Sequence, residues 1–365
     1  MKFSCDKDIL LKEINMAQEI VSTKNAMSIL SNIYLEAEED ALVIKATDTK
    51  VSFETRMPVA VSETGATTVL GDKFLGILNS IPEGELEFEQ IDTKSTIKPS
   101  KKKIKFQLKS ISSEKFPEFP VSSEKYFEIP VKDFKDMIMQ TVFAVSDDET
   151  RYFMNGVHLE KTDGNIVMVA TDGRRLAYIG KPIGNGIKDF SGVIIPPKIL
   201  TILIKRAGDE GPISISVTDK TLFIRFGSYN LSSVLIEGPF PNYKRVIPES
   251  QNSMFVVNRL EMLDALKRVS LLVEQKSRRI YLGLASGSVS VYSEENDIGV
   301  AREEIPCKYE GEELSIALNY RYIEEPFKVM DDEEICIRFT DTTKAITIVP
   351  VPEKDFFHIV MPMQN

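Results

Sequence analysis

One pattern of apolar and polar positions occurs three times along the chain. An aromatic residue is followed at +2, +7 and +11 by apolar residues, and the copies begin at Phe3, Phe127 and Phe255. Alternate residues share one face of a strand, whereas residues four apart share one face of a helix. The pattern therefore predicts a short strand that runs into an amphipathic helix, in three copies.

Two shorter landmarks recur in the same order as this pattern. The Ala-Thr-Asp tripeptide of residues 46–48 returns at residues 170–172. The Phe-Pro dipeptide of residues 116–117 returns at residues 240–241. Because the landmarks are collinear, we interpret them as parts of one internal repeat.

A third landmark is present in all three copies. A second helix-like stretch opens at residues 70–75, 195–200 and 318–323, and the fourth position of each is a cation. These cations are Lys73, Lys198 and Arg321. The repeat therefore has a period of about a third of the chain and two helices in each copy.

The remaining segments alternate apolar with polar residues, for example at residues 41–46, 165–170 and 335–339. Such alternation, bounded by turn residues, predicts strands. Antiparallel strands with two helices in each copy predict an α+β fold of three tandem pseudo-repeat domains. Polar, turn-like segments place the domains at residues 1–122, 123–251 and 252–365.

The distribution of charge changes what the composition implies. The 365 residues are 42% hydrophobic, and their formal net charge of -10 would ordinarily argue against nucleic acid, whose binding draws on Lys and Arg. Residues 98–109, however, contain six lysines and no acid. Residues 294–313 contain eight acids against Arg302 and Lys308. The two ends of the chain therefore have opposite charge.

The lysine-rich segment alternates in a way that is typical of a strand. Ile104, Phe106 and Leu108 would face inward, while Lys103, Lys105 and Lys109 would face outward. Such a strand could be an edge that its lysines guard against unwanted pairing. It could equally contact phosphate or an acidic partner strand.

The cysteines and the hydropathy of the chain indicate the cellular compartment in which the protein is expected. Cys5, Cys307 and Cys336 are far apart and form no CxxC pair. The sequence shows no leader and no apolar run of ~18 residues. We therefore expect a cytoplasmic protein with reduced thiols and no membrane partner.

A search for catalytic chemistry gives little. His158 and His358 have no metal-ligand partner at a usual spacing, and there is no P-loop or GxSxG motif. We expect no metal, no cofactor and no catalytic residue. His158 lies in an alternating segment, so we expect its side chain to face solvent.

The segment Asp172-Gly173-Arg174-Arg175 is the one local cluster with the character of a chemical site. An Asp beside two Arg could bind phosphate, whereas a simple turn would leave both arginine side chains in water. The matching tripeptide at residues 46–48 lacks the arginines, which favours a structural origin for the turn.

Five segments of the sequence resemble the bacterial DNA sliding clamp, the beta subunit of DNA polymerase III. They are residues 1–3, 151–156, 170–177, 240–248 and 360–363, and the resemblance extends over the whole chain. It implies helices on the inner side and sheet outside, with two chains closing head to tail into a dimeric ring of six domains. The ring would encircle duplex DNA without reading its sequence, slide along it as a processivity factor, and catalyse no reaction.

The resemblance also gives the opposite charges a role. It implies that the first domain of one chain meets the third domain of the other, with charges fixing the register and apolar contacts resisting opening. The interface residues would be Lys103, Lys105, Phe106, Leu271, Leu272, Glu294, Glu295, Asp297, Glu303 and Glu304.

A sliding ring needs contact with phosphate and no contact with base edges. The resemblance and the repeated cations together suggest candidates for DNA proximity. These are Lys24, Lys73, Arg151, Tyr152, Phe153, Lys198 and Arg321. Asn79, Asp147 and Asp148 stand where related clamps can carry DNA-proximal groups.

The resemblance finally implies a hydrophobic groove for short peptide motifs. Its partners would be the replicative polymerase, the clamp loader ATPase, repair polymerases and mismatch-repair proteins, which would place the chain at the nucleoid. The groove would be built from Met154, Thr171, Gly173, Arg174, Arg175, Leu176, Pro241, Arg245, Val246, Asn319, Tyr322, Thr343, Met361, Pro362 and Met363. Ser277 and the polar end Gln364-Asn365 differ from some relatives, so the preferred peptide can differ too.

Two other classes of protein are compatible with parts of the sequence. A repeat scaffold that is not a clamp would not need complementary charge at its two ends or a Met-Pro-Met terminus. A hydrolase or phosphate-handling enzyme that used Asp172, Arg174 and His158 would need a convergent pocket and a dependable base.

Overall fold

The computed structural model describes residues 1–21, 29–184, 187, 190 and 192–364. The described helices are α1 (Lys7–Ile20), α2 (Gly71–Ser80), α3 (Val131–Met139), α4 (Pro197–Arg206), α5 (Arg259–Val269) and α6 (Tyr320–Val329). The strands are β1 (Lys2–Asp6), β2 (Asn32–Ala37), β3 (Ala41–Thr47), β4 (Val51–Pro58), β5 (Ala60–Glu63), β6 (Gly65–Leu70), β7 (Glu85–Ile91), β8 (Lys94–Pro99), β9 (Phe106–Ile111), β10 (Phe127–Pro130), β11 (Val157–Thr162), β12 (Asn165–Thr171), β13 (Arg175–Pro182), β14 (Val193–Ile195), β15 (Pro212–Val217), β16 (Thr221–Phe226), β17 (Tyr229–Val234), β18 (Ser253–Asn258), β19 (Arg279–Ala285), β20 (Ser288–Tyr292), β21 (Arg302–Lys308), β22 (Leu314–Asn319), β23 (Glu334–Phe339), β24 (Ile346–Val351) and β25 (Phe356–Val360).

The chain divides into two compact units, each with its own sheet. The first unit is Met1–Val131 with Thr201–Leu235, and its sheet runs β10-β15-β16-β17-β4-β3-β2-β6-β9-β8-β7-β1-β5. The second unit is Lys132–Leu200 with Ile236–Asn365, and its sheet runs β14-β11-β12-β13-β25-β24-β23-β18-β21-β20-β19-β22. Every recorded pairing in both sheets is antiparallel, which is the arrangement that the alternating segments predict.

The predicted strand-to-helix unit is present in all three copies. β1 leads into α1, β10 into α3 and β18 into α5. Asp6 and Asn258 cap the first and third of these helices, and each side chain accepts hydrogen bonds from two backbone N–H groups of the first turn. The apolar stripe faces inward, as Leu10, Ile14 and Ala17 of α1 show by having no exposed surface.

The repeat aromatics belong to the cores. Phe3 stacks on Phe88 of the paired strand β7, with ring centroids 5.0 Å apart, and Phe74 of α2 meets the edge of the same ring at 5.9 Å. In the second unit Phe255 meets Phe339 at 6.3 Å. Buried aromatic pairs of this kind contribute large apolar areas, so the same repeat position anchors both units.

Two sequence expectations need correction. His158 does not face solvent: its residue is 8% exposed and its ring stacks on Phe240 at 4.6 Å, because residues near 240 cover that face of β11. The lysine-rich segment alternates in exposure as expected, but the strand begins only at Phe106. Lys103 and Lys105 therefore precede β9 and lie outside its ladder.

Candidate functional site

The turn at residues 171–175 has a structural hydrogen-bond pattern. Oδ1 of Asp172 accepts from the backbone N–H groups of Arg174 at 2.9 Å and Arg175 at 3.1 Å, and Thr171 Oγ1 donates to the carbonyl of Arg175 at 2.6 Å. Gly173 has a φ of 88°, a left-handed conformation that favours glycine. The segment is a side-chain-capped turn, as the repeat predicted.

The corresponding turn of the first unit has the same bonds. Oδ1 of Asp48 accepts from the N–H groups of Lys50 at 2.9 Å and Val51 at 2.7 Å, and Thr47 Oγ1 donates to the carbonyl of Val51 at 2.9 Å. Since this copy has no arginines, the turn does not depend on them. The arginines of the second unit are therefore additions to an existing framework.

Arg175 is not solvated, contrary to the expectation for a simple turn. Its side chain is 10% exposed; Nε donates to Asp172 at 3.0 Å and Nη2 donates to the carbonyl of Phe143 at 2.6 Å. Nη1 donates to Glu325 of α6. The guanidinium also lies 4.6 Å from the ring centre of Tyr322. Arg175 thus ties β13 to α6, which positions Tyr322 beside the turn.

The C-terminal segment crosses from this turn to the edge of the sheet. The N–H of Met361 donates to the carbonyl of Arg174 at 2.9 Å, and the N–H of Met363 donates to the carbonyl of Ala317 in β22 at 2.8 Å. Met361 is 45% exposed, so part of this residue is available to another molecule. The segment therefore links the turn to β22 and places two methionines between them.

Residues 240–247 pack against the same region. Tyr243 is 6% exposed and joins Val167, Val169, Leu176 and Ile359 in one apolar cluster, with Phe240 and Ile247 packed on it. The hydroxyl of Tyr243 donates to Glu160 at 2.6 Å, and burial together with this carboxylate raises the pKa of Tyr243. Val246 is 52% exposed beside this anchored cluster.

The structure thus brings most of the predicted groove residues into one region of the second unit. The turn supplies Thr171 to Leu176, the apolar cluster holds residues 240–247, and the C-terminal segment supplies Met361 to Met363. Asn319 caps α6 by accepting from the N–H of Arg321 at 3.0 Å, and Thr343 borders a cavity with Pro362 and Met363. Met154 is buried at the end of a 3₁₀ helix, and Arg174, Arg245 and Thr343 are exposed.

A buried histidine lies behind this region. His358 of β25 is 1% exposed, its Nε2 lies 3.1 Å from Oε1 of Gln140, and its ring centre lies 5.5 Å from that of Phe143. Burial, with a smaller effect from Arg175, lowers the pKa of His358 to about 3. The ring is therefore neutral near pH 7 and has a structural role.

The basic segment borders a strand that is open on one side. Residues 106–109 of β9 pair with β8, whereas β6 pairs only with Ser110 and Ile111. Within the described residues the other edge of 106–109 has no partner strand. Lys103 and Lys105 are exposed just before this edge, and Phe106 is half-buried.

The acidic segment borders a second strand of the same kind. Residues 302–306 of β21 pair with β20, whereas β18 pairs only with Cys307 and Lys308. Glu294, Glu295, Asp297 and Glu304 are exposed. Glu303 differs, because Arg268 of its own chain binds it through two hydrogen bonds of 2.5 and 2.7 Å and lowers its pKa. Glu294 is also paired, because Arg279 lies 3.5 Å from its carboxylate and the Tyr281 hydroxyl donates to it. The acids that remain for a partner are therefore mainly Glu295, Asp297 and Glu304.

Apolar side chains project beside the acidic strand. Leu271, Ile298 and Val300 are 76%, 74% and 55% exposed. Asn296 donates to the carbonyl of Leu272 at 2.8 Å, which holds the two segments together. Large apolar side chains that cluster at this exposure mark an interaction surface. Leu271 and Leu272 are interface residues that the resemblance implies, and this stays a prediction; Ile298 and Val300 were not singled out from the sequence.

The three repeated cations occupy equivalent places. Lys73, Lys198 and Arg321 lie in the first turns of α2, α4 and α6, the second helix of each copy. The Nζ atom of Lys73 lies 3.1 Å from Oδ2 of Asp72, so the two residues form an ion pair. Arg321 is exposed, and a hydrogen bond with Tyr320 is the main cause that raises its pKa.

Three further DNA-proximal candidates, Arg151, Tyr152 and Phe153, lie in a 3₁₀ helix, Glu149–Met154. Arg151 pairs with Asp148 at 2.9 Å, so part of its charge is satisfied internally. Tyr152 is 53% exposed, and its ring centre is 5.7 Å from that of Phe153. Lys24 lies outside the described residues.

Family models match nearly the whole chain. The N-terminal, central and C-terminal domains of the DNA polymerase III beta subunit match residues 1–120, 128–242 and 244–364. The chain belongs to this family. The beta sliding clamp of Treponema pallidum is 49% identical over the full length of both proteins, and that of Halalkalibacterium halodurans is 32% identical, also over both full lengths.

Solved clamp structures have the same fold. The DNA polymerase III beta subunit of Pseudomonas aeruginosa is 26% identical over the full length of both chains, with a TM-score of 0.93. A second structure of the clamp from that organism, bound to griselimycin, gives a TM-score of 0.94 at 26% identity and full coverage of both chains. The predicted clamp fold is therefore confirmed.

Family membership decides between the classes of function that the sequence left open. The chain is a sliding clamp, a non-catalytic processivity factor of DNA replication, which excludes the enzyme and the unrelated repeat scaffold. Within the described residues no group of three His, Cys, Asp or Glu side chains is arranged to hold a metal ion. No helix among those residues is long and apolar enough to cross a membrane.

Proposed function

We propose that two copies of this clamp close head to tail through the open edges of β9 and β21, encircle duplex DNA and hold partner proteins in the groove of the second unit. The observation that carries the seam is that residues 106–109 of β9 and residues 302–306 of β21 each pair with a neighbouring strand along one edge only, within the described residues. One open edge follows Lys103 and Lys105, and the other carries Glu304. Opposite charge on two complementary edges suits association between copies.

An unpaired strand edge presents N–H and C=O groups that another strand can satisfy. Residues 106–109 of one copy would pair with residues 302–306 of the other, so that the sheet continues across the seam. In a two-chain ring each seam uses one edge of each kind, which leaves neither edge open. Closure therefore protects both chains from uncontrolled pairing.

Apolar and charged groups would contribute differently to this seam. Phe106 would meet Leu271 and Leu272, and these contacts would oppose ring opening once water is excluded. The lysines and Glu294, Glu295, Asp297 and Glu304 would mainly guide the approach and fix the register. Glu303 would contribute less, since Arg268 already neutralises it.

Encirclement explains how a chain with a formal net charge of -10 works on DNA. Affinity for phosphate would be weak, but a closed ring stays on its track by topology. Lys73, Lys198 and Arg321 would give each domain one cation near the backbone. Contacts to phosphate without contacts to bases let the ring slide without pausing at particular sequences.

The groove would take a short extended peptide. Val246 and Met361 present exposed apolar surface on a rigid frame, and the exposed guanidinium of Arg174 can bind peptide carbonyls. The expected partners are the replicative polymerase, the clamp loader ATPase, repair polymerases and mismatch-repair proteins. The same proposal divides the chain into domains at residues 1–122, 123–251 and 252–365 and places it at the nucleoid in the cytoplasm.

The seam is tested by solution mass. Light scattering of the wild-type protein at micromolar concentration should give about 82 kDa, twice the 41.1 kDa of one chain. Lys103→Glu with Lys105→Glu should shift the mass toward one chain, and adding Glu295→Lys with Glu304→Lys should restore the dimer. Lys101→Glu with Lys102→Glu is the matched control, because it makes the same change of charge farther from the start of β9. A wild-type monomer at every concentration would overturn the ring.

A further inference from the structure

A cavity of about 380 Å³ adjoins the groove on the far side of the C-terminal segment. Thr343, Pro362 and Met363 line the cavity and also belong to the proposed groove, so the two adjoin at these residues. The remaining wall includes Tyr281, Tyr292 and Ala317, which no part of the predicted groove contains. Its volume lies near the lower end of the ~300–1,000 Å³ that is typical of ligand clefts.

Two tyrosines form the floor of this cavity. Tyr281 and Tyr292 face each other across β19 and β20 and stack with centroids 5.2 Å apart and planes 14° apart. A Cβ on Gly283 would lie 3.2 Å from the Tyr292 ring, so the absence of a side chain there lets the ring lie across β19. The result is an aromatic floor on this face of the sheet.

The cavity is open because Ala317 is small. Ala317 lies directly opposite Tyr281 in the β19 and β22 ladder, and its carbonyl accepts the hydrogen bond from Met363. Cross-strand neighbours normally fill the space between them with side-chain atoms. A single methyl group at this position leaves room between the tyrosines and the C-terminal segment.

The hydroxyls of the two tyrosines are already paired. The hydroxyl of Tyr281 donates to Glu294, and that of Tyr292 lies 2.9 Å from the hydroxyl of Ser315. Nη2 of Arg279 donates to the carbonyl of Gln364 at 3.0 Å. The lining offers tyrosine rings, the Ala317 methyl group and the Met363 thioether, and no Lys or Arg belongs to it, which favours an aromatic side chain over an anion.

We propose that this cavity, the tyrosine subsite, binds an aromatic side chain of the partner peptide just outside the segment held in the groove. The inference rests on the proposed peptide groove and adds a specificity determinant to it. A peptide that lies along Met363 reaches Ala317 next, since the two residues share a hydrogen bond. A flanking aromatic residue would then stack on the tyrosines and gain affinity that the groove alone does not give.

The test is a selection of random dodecapeptides displayed on phage against the full-length protein. The variants are Tyr281→Ser with Tyr292→Ser, which removes the floor, and Ala317→Leu, which fills the cavity. Tyr126→Ser is the control, a half-buried tyrosine of the first unit. Val246→Asp with Met361→Asp identifies groove-dependent peptides, because those peptides are lost on it.

Groove-dependent peptides from the wild type should share an aromatic residue at one fixed distance from their common core. Replacing that residue by Ala in a synthetic peptide should weaken binding about tenfold on the wild type and the Tyr126 control, and under about twofold on either subsite variant. A common core without a flanking aromatic, or an equal preference on the subsite variants, would overturn the subsite and leave the groove. Peptides unaffected by the Val246 and Met361 changes would overturn the groove itself and the subsite with it.

Discussion

Arg175 is the residue whose removal should most disturb the groove without touching the ring seam. Its guanidinium holds Asp172, Glu325 and the carbonyl of Phe143, and the side chain is 10% exposed. Arg175→Ala would leave Asp172, whose side chain is only 14% exposed, without its ion pair. The variant therefore creates an unpaired buried charge as well as a cavity.

The expected cost follows from burial. Removing one partner of a buried ion pair costs ~3–5 kcal/mol. Because Glu325 is 32% exposed and can rehydrate, we expect the lower end, about 3 kcal/mol. For a unit of roughly 200 residues this corresponds to a fall in Tm of ~6–12 °C.

Scanning calorimetry of the full chain measures this fall. Arg175→Lys keeps the charge but cannot reach all three acceptors, so it should recover only part of the loss. Arg174→Ala removes the exposed neighbour on the same turn and should change stability by less than ~0.5 kcal/mol. A fall in Tm of under ~2 °C for Arg175→Ala, or equal falls for both alanine variants, would show that Arg175 makes no buried ion pair that matters for stability.

Two further predictions concern stability. Burial lowers the pKa of His358 to about 3 from an ordinary 6.5. Between these two pH values the unfolded chain binds a proton at this residue and the folded chain does not. The free energy of unfolding should therefore fall by ~1.4 kcal/mol per pH unit as the pH decreases through this range. His358→Gln should make the Tm depend less on pH between pH 7 and pH 4.5. Burial also lowers the pKa of His158, so some dependence should remain in the variant. Parallel curves of Tm against pH for the two proteins would contradict the prediction. A Cβ on Gly156 would lie 2.6 Å from the carbonyl oxygen of Ile195, so Gly156→Ala should cost ~1–3 kcal/mol in urea denaturation. Gly208→Ala, which meets nothing within 4 Å, should not destabilise, and equal losses for the two variants would rule out steric crowding at Gly156 as the cause.

Local periodicity predicted the parts of the fold that depend on neighbouring residues. The apolar patterns that begin at Phe3, Phe127 and Phe255 predicted the strand-to-helix units, because the residues that a strand or a helix buries recur at a fixed spacing along the sequence. The repeated Thr-Asp tripeptide predicted a structural turn, and Asp48 and Asp172 cap their turns with the same hydrogen bonds. Both patterns involve only residues that lie close together in the sequence.

Features that depend on distant residues could not be predicted. Arg175 meets Phe143 and Glu325, which are 32 and 150 residues away along the chain, and no local pattern encodes these pairs. The prediction that His158 faces solvent is wrong because the alternation of apolar and polar residues predicts which face of a strand is polar, but not whether another segment covers that face. The tyrosine subsite likewise depends on strand register, which sets Ala317 opposite Tyr281.

Some features of the proposed seam could be predicted from the sequence and others could not. Opposite charge at the two ends of the chain was visible in the sequence, and family resemblance assigned it to an interface. The half-paired edges of β9 and β21 were not visible, since they depend on where β6 and β18 stop pairing. Nor could sequence show that Arg268 neutralises Glu303.

The closed ring should hold DNA by topology rather than by affinity for its surface. The most direct measurement loads the protein onto a nicked circular plasmid with its clamp loader ATPase and ATP, isolates the complex in high salt, and then cuts the plasmid once. We predict that the protein stays with the circle in high salt and is released when the DNA becomes linear, because it slides off the ends. Release from the intact circle by salt alone, or retention on linear DNA with free ends, would contradict encirclement and indicate binding by ordinary surface affinity.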